Sequence, residues 1–333
     1  MDRMDYIQAV TRTRVLETRL LSRATIDRMV DAKDMEEVIR ILGETEYANA
    51  IEGITRPEEY ENILSSELKR VYNMMYEITK DDTVVDLLAL SYDYHNLKVL
   101  VKEQALQKDL DDLYIPIGTT DFEKLKADYL ADNFRDIDPK FSEALDSVVK
   151  DFETTKDPQR IDLILDKYYF NHFYELAKEL EVPLFINYVK DLIDLVNIRT
   201  LIRLKKQDKD MNFLKDALLP NGNIDIGDIV LALNDSIDVI INKFKSRDIG
   251  PSLRKGLESY QETGRLSEFE IQMDDYLMSL NKDSKYVNFG PEPIFSYIIA
   301  KETEIKILRI IMVSKLNKLS PDAIRERLRD LYV

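Results

Sequence analysis

An all-α fold is predicted for this 333-residue chain, and three observations predict it. Gly and Pro number only 9 and 10, about half the roughly 12% of an average protein, so helix breakers are scarce. Apolar residues recur at steps of three and four over long stretches, the spacing of one helix face. No run alternates apolar and polar residues between turn signals, as a half-buried strand would.

In chain order, Ile7, Val10, Val15, Leu16, Leu20 and Leu21 share a helical period, and Met35 to Leu42 repeats the pattern. A helix carrying Asp93-Tyr94-His95-Asn96-Leu97-Lys98-Val99-Leu100-Val101-Lys102 runs towards the turn Leu113-Tyr114-Ile115-Pro116-Ile117-Gly118. Phe122 to Leu130 is amphipathic again. Ile161, Leu165, Tyr168, Tyr169, His172, Phe173 and Leu176 form the apolar stripe of a helix about 20 residues long, which Pro183 ends. A further helix covers about 184–206. A second turn, Leu218-Leu219-Pro220-Asn221-Gly222, leads into the amphipathic segment Ile224 to Leu233. Ser320-Pro321-Asp322 supplies a cap, a first-turn proline and an early acid, opening a last short helix to Tyr332.

The two Pro-x-Gly turns expose an internal repeat. Asp93 to Lys102 and Asp194 to Arg203 match as acid, x, x, Asn, apolar, base, x, Leu, apolar, base, 101 residues apart. Glu304-Ile305-Lys306-Ile307-Leu308-Arg309 is a looser third copy, 110 residues further on, with Ile307 in the Asn position. The preceding helices also correspond through Asp166-Lys167-Tyr168 and Asp274-Asp275-Tyr276. Three helical repeats are therefore expected, at 1–112, 113–217 and 218–333.

Composition excludes several functions. With 47 Lys plus Arg against 63 Asp plus Glu, the net charge of −16 offers no footprint for nucleic acid or for an anionic leaflet. Cys is absent, so there is neither a disulfide framework nor a thiolate nucleophile. The start has no apolar signal region. Ile294 to Met312, the most apolar stretch, is interrupted by Lys301, Glu302, Glu304, Lys306 and Arg309, which argues against membrane insertion. There is no phosphate-binding glycine loop and no dinucleotide fingerprint. With His95 and His172 as the only histidines, a zinc site would rest almost wholly on carboxylates. His172 is read as a hydrogen-bonded core histidine and His95 as a packing residue beside the motif. Asp31, Asp34, Glu36 and Glu37 fit the first turn of a helix better than a cation site. No catalytic, cofactor-binding or metal-binding residue is assigned.

The repeated charges carry two readings. Acid and base five residues apart lie about 140° apart on the helix, so they are poor partners for each other. On such apolar helices Asp93, Asp194 and Glu304 need partners, and one reading has acids and bases reaching neighbouring helices to fix repeat packing. The other has the basic ends converge on a positive docking rim: Lys98 and Lys102; Arg199, Arg203, Lys205 and Lys206; Arg309, Lys315 and Lys318.

The segment from Gly290-Pro291-Glu292-Pro293 through Lys301-Glu302-Thr303-Glu304-Ile305, with Leu308-Arg309-Ile310-Ile311 and Ile324-Arg325-Glu326-Arg327-Leu328 to Tyr332-Val333, resembles the C-terminal signature of the V-type ATPase C/d family. Arg12, Arg14, Glu17, Leu20, Leu21, Thr45 and Tyr47 agree at the other end. The resemblance implies a non-catalytic rotor part, three related helical domains in a pseudo-threefold funnel without cofactors. It implies a place peripheral to the membrane on its cytoplasmic face, between central-stalk subunits of the D and F types and the proteolipid ring. There it would pass torque for H⁺ or Na⁺ transport. A generic helical-repeat adaptor, and a carboxylate enzyme using Asp93, His95 and Asp194, are the competing readings.

Overall fold

The computed structural model describes residues 2–131 and 133–333, and among these all regular structure is helical. The chain forms two compact units. One joins the segments before Asp86 and after Phe244; the other is the continuous stretch between them.

The first unit begins with α1 (Ile7–Glu17), α2 (Arg23–Asp31), α3 (Met35–Leu42), α4 (Ala48–Ile51) and α5 (Tyr60–Ile78). The long α6 (Thr83–Leu106) opens the second, followed by α7 (Phe122–Leu130), α8 (Pro139–Thr155), α9 (Pro158–Glu179) and α10 (Pro183–Lys206). The second unit closes with α11 (Met211–Ala217), α12 (Ile226–Leu231) and α13 (Ile237–Phe244). The chain then returns to the first unit through α14 (Gly250–Thr263), α15 (Ser267–Lys282), α16 (Glu292–Leu316) and α17 (Pro321–Arg325).

Local chemistry sets many of these boundaries. Ser22, Asp34, Asp121, Asp157, Asp225 and Ser320 each accept a backbone N–H in the first turn of the helix they precede. Prolines open α8, α9 and α10, where a missing N–H costs nothing. In the first unit α16 is the central element, packed by α1, α3, α5, α15 and α17. Its first half, from Pro293 to Lys301, is buried on every face, and its second half leaves one stripe open. In the second unit α9 carries α8 and α10, and α10 holds α11 and α12. No helix among the described residues is long and apolar enough to cross a membrane.

Three elements differ from expectation. The first helix stops at Glu17; Leu20 and Leu21 are buried in the turn that follows it. The segment from Ile224 is helical only from Ile226, because Asp225 caps it. The last helix ends at Arg325, short of Tyr332. Beyond it the chain turns at Glu326 and Arg327 and is then tied down: Arg329 Nε meets Asp274 Oδ2 at 2.8 Å, Asp330 N–H donates to Asp275 at 2.7 Å, and the buried Tyr332 donates to Glu17 at 2.9 Å. Tertiary bonds there replace the helical ladder.

Candidate functional site

The motif acids hold turns. Asp93, 4% exposed, accepts the Thr119 N–H and the Thr119 hydroxyl on Oδ2, both at 2.8 Å, and the Thr120 hydroxyl on Oδ1 at 3.1 Å. Asp194, 1% exposed, accepts the Asn223 N–H at 2.9 Å and the Ile224 N–H at 3.0 Å, one on each oxygen. The next residue is the helix cap in both cases, Asp121 for α7 and Asp225 for α12. The carboxylates come so close to the chain that a Cβ on Gly118 would lie 2.2 Å from Asp93 Oδ1, and one on Gly222 2.1 Å from Asp194 Oδ1. The glycines are required by this approach.

The motif asparagines clamp the same turns. Asn96 accepts the Ile115 N–H at 2.9 Å and donates to the Ile115 carbonyl at 2.8 Å. Asn197 does the same with Leu219, at 2.8 and 2.9 Å. An amide side chain pairs with one residue's backbone as a neighbouring strand would, satisfying an N–H and a C=O that the turn leaves without helical partners.

The third acid, Glu304, acts on a distant segment. It accepts the Leu21 N–H on Oε2 at 2.5 Å, and Ser22 is the cap of α2, so the order acid-bound residue, cap, helix recurs. Counted back from the caps, Leu16 stands where Ile115 and Leu219 stand. Leu16 lies in α1 and its carbonyl already accepts the Arg19 N–H at 3.0 Å. A self-satisfied backbone needs no clamp, which accounts for Ile307 in place of Asn. Eleven residues past their acids, Lys205 donates to the Leu233 carbonyl at 2.8 Å and Lys315 to the carbonyls of Val30 and Ala32. Both ammonium groups cap the end of the helical segment that follows the turn.

Glu304 also belongs to a buried charge cluster. Lys301 Nζ lies 2.7 Å from Glu304 Oε1 and 3.0 Å from Glu67 Oε1, with side chains no more than 2% exposed. The Tyr47 hydroxyl donates to Glu304 at 2.8 Å, and Lys301 stands 4.6 Å from the Tyr47 ring. Arg70 completes the set with a two-point bond to Glu67, at 2.7 and 2.9 Å. Burial alone would lower the Lys301 ammonium, but Glu304 and Glu67 outweigh it and hold it above its ordinary value. Burial first, then the same two carboxylates, pushes the Tyr47 phenol far up.

The remaining bases lie apart. Lys98 pairs with Asp166 and Lys102 with Asp162 at 2.7 Å, both acids being on α9. Arg309 forms a two-point bond with Glu61 of α5, at 2.7 and 3.0 Å. Arg203 and Lys206 are exposed at the end of α10, Lys318 is exposed past the end of α16, and Arg199 is half-buried. His172 packs edge-on to Tyr94 and 3.4 Å from its hydroxyl; burial and then Lys140 lower its pKa to about 4. His95 Nε2 lies 2.9 Å from the Leu113 carbonyl. Asp34 caps α3, and Asp31 pairs with Arg325. Among the described residues no group of acids and histidines could hold a metal ion. Sequence reading missed Lys301, Glu67 and Arg70, although charges at positions 301 and 304 inside so apolar a stretch were the available signal.

The two acids should respond differently to neutralisation. Burial raises Asp93 to about 6, against the pull of its Thr119 and Thr120 donors. A carboxyl with a raised folded pKa takes up protons in the folded state between roughly pH 4 and 6, so stability falls as pH rises through that window. Asp93→Asn removes this term, and its amide can donate to the Thr120 hydroxyl. The variant should therefore gain on the native protein by on the order of 2–3 kcal/mol between pH 4 and pH 7.5. Asp194→Asn aims an NH₂ at a backbone N–H and should lose about 2 kcal/mol at neutral pH. Urea melts of both variants at the two pH values check this.

The sequence was compared with known proteins against this geometry. It is 26% identical over 330 residues to the C subunit of the V-type sodium ATPase of Enterococcus hirae, covering 99% of both chains. It is 24% identical over 352 residues to the C subunit of the A-type ATP synthase of Methanocaldococcus jannaschii, covering 99% of this chain and 88% of that one. With its counterpart in the A-type ATP synthase of Archaeoglobus fulgidus it shares 22% over 339 residues, 93% of this chain and 92% of the relative. Residues 9–327 match the ATP synthase (C/AC39) subunit family, and the chain belongs to that family.

Proposed function

We propose that the chain is a non-catalytic central-stalk subunit of a V-type rotary ATPase. In this reading it joins the rotating stalk, of D- and F-type subunits, to the proteolipid ring and passes torque for H⁺ or Na⁺ transport. It would sit peripherally at the cytoplasmic face of the membrane. The observation that carries the reading is the repeated turn clamp, in a chain matched to the family over nearly its whole length.

The clamp is a rigid device: a buried acid and a buried amide tie a long helix to the next element through bonds that cannot slide. A torque-bearing part needs such ties. In the threefold reading, two ion pairs, one within each unit, join a motif helix to the helix before another motif. Lys98 reaches Asp166, on the helix preceding the second motif, and Arg309 reaches Glu61, on the helix preceding the first. In that reading the third repeat is completed by the segment holding Leu21 and α2.

The docking rim reduces to fewer bases than the sequence offers. By exposure alone, Lys98, Lys102, Lys205 and Lys315 are half-buried, and Arg203, Lys206 and Lys318 reach solvent. Arg203→Glu with Lys206→Glu should weaken co-purification with stalk and ring by about tenfold, increasingly so with added salt, at unchanged helicity. Native-strength association of the double variant, with the stalk and with the ring, would remove these bases from the interface. Failure of the native chain to bind either would remove the reading itself.

A further inference from the structure

The corner between α11 and α12 holds a reactive dipeptide. Asn221-Gly222 is the one Asn-Gly step in the sequence. Asparagine is among the thermally labile residues, and a following glycine, lacking Cβ, leaves the Asn side-chain carbon open to attack by the glycine's own nitrogen. Both residues are half-buried at the surface, so water reaches them. The Gly222 N–H, the nucleophile of such a reaction, meets no acceptor among the described residues.

Ring closure needs the Gly222 nitrogen beside the Asn221 side chain, and the turn holds it elsewhere. Asn221 lies in the left-handed region at φ 72°, where ψ is about +30 to +60° and the tetrahedral Cα puts the next nitrogen across from Cβ. Asparagine tolerates this region better than most residues, which explains its presence here. Its Nδ2 donates to Asn171 Oδ1 on α9 at 3.1 Å, which ties the amide to that helix. Before it Asn197 fixes Leu219, and after it Asp194 fixes Asn223 and Ile224. Between these anchors lie Pro220, Asn221 and Gly222 alone, and the Pro220 ring fixes its own φ. Turning Asn221 to the reactive conformation therefore requires a clamp to let go. The matching corner of the first motif has Ile117 in that place and so has no amide to lose.

We infer that Asn221 is a deamidation site kept closed by the Asp194 and Asn197 clamps, so that a chain whose second corner opens is marked there irreversibly. The Gly222 nitrogen gives its proton to water and attacks Asn221 Cγ. The Cγ–Nδ2 bond breaks and ammonia leaves, which yields a cyclic imide. Water then opens the imide at either carbonyl, breaking one C–N bond, to give aspartate or isoaspartate. In sum an amide and water become a carboxylate and ammonium, without oxidation or reduction. Isoaspartate lengthens the main chain by one methylene between anchors set for the shorter path. Either product adds a carboxylate to a corner that already holds Asp191 and Asp194, and like charges oppose reclosure.

The test follows the mass gain at Asn221 by peptide mapping of the full chain kept in mildly alkaline buffer. The folded native chain should deamidate there at least about tenfold more slowly than the same chain in urea, because reaction waits on local opening. Asn197→Ala, under folding conditions, should react at least about tenfold faster than the native chain. Asp194→Asn loosens the other anchor and should accelerate the reaction too, which keeps the test open if Asn197→Ala does not fold. Asn96→Ala opens the first corner of the same unit and should leave the Asn221 rate within about twofold of native. Chains carrying isoaspartate, separated by anion exchange, should melt below unmodified ones. Equal rates in the folded and the urea-unfolded native chain would overturn the inference, as would native rates in both clamp variants. Equal acceleration by Asn96→Ala would assign the reaction to global unfolding and overturn it as well. So would an isoaspartate form that melts with the native chain.

Discussion

Lys301→Met should destabilise the protein by about 3–5 kcal/mol, the cost of breaking a buried ion pair from one side. Methionine fills much of the lysine volume, so the loss is electrostatic. Glu67 and Glu304, both about 2% exposed or less, would then have Arg70, the Tyr47 hydroxyl and the Leu21 N–H to offset them, one full charge short. The triple variant Lys301→Met, Glu67→Gln, Glu304→Gln should recover more than half of that loss, because no fully buried ion is left and Arg70, partly exposed, keeps Glu46. Denaturant melts at neutral pH decide the matter. If the single variant costs under about 1 kcal/mol, water reaches the site and the cluster is not dry. The lysine's raised pKa means that its contribution is complete below about pH 10.5 and fades as pH rises through the folded value.

Asn197→Ala should cost about 3–4 kcal/mol, and Asn96→Ala about half as much. Asn197 is 1% exposed and Leu219 is 4% exposed, so removing the amide orphans a buried N–H and a buried C=O at once. Each orphan is worth about 1–3 kcal/mol. Ile115 is only half-buried, and water can replace the lost bonds there. Equal losses at the two sites would mean that the clamp is not the source of the effect. Asn197→Asp should also fail, since a carboxylate cannot donate to the Leu219 carbonyl.

These residues show what a sequence can and cannot reveal. Asp93, Asn96, Asp194 and Asn197 were legible because the turn each clamps follows 19 to 30 residues later, close enough for spacing and Pro-x-Gly corners to recur together. Glu304 was visible as a charge inside an apolar stretch but its partner was not, since Leu21 lies 283 residues away. Lys301 was harder still. Periodicity reports which face of a helix is apolar, and α16 is apolar on nearly every face, so a lysine within it has no side to betray. The bases misled in another way: position near a helix end is shared by a lysine that caps carbonyls, such as Lys315, and one left to solvent, such as Lys318. Only the fold separates them.

The assembly of the first unit from two distant segments sets an order of events during synthesis. The second unit is continuous and complete once Phe244 has left the ribosome. The segment before Asp86 has by then been made, but Glu304, which fixes its Leu21, and Lys301, which neutralises its Glu67, do not yet exist. At about 5–20 residues per second, Lys245–Val333 takes on the order of 5–20 s to follow. For that interval Glu67 has Arg70 but not Lys301, and the Leu21 N–H lacks its carboxylate, in a stretch open to chaperones and to wrong partners.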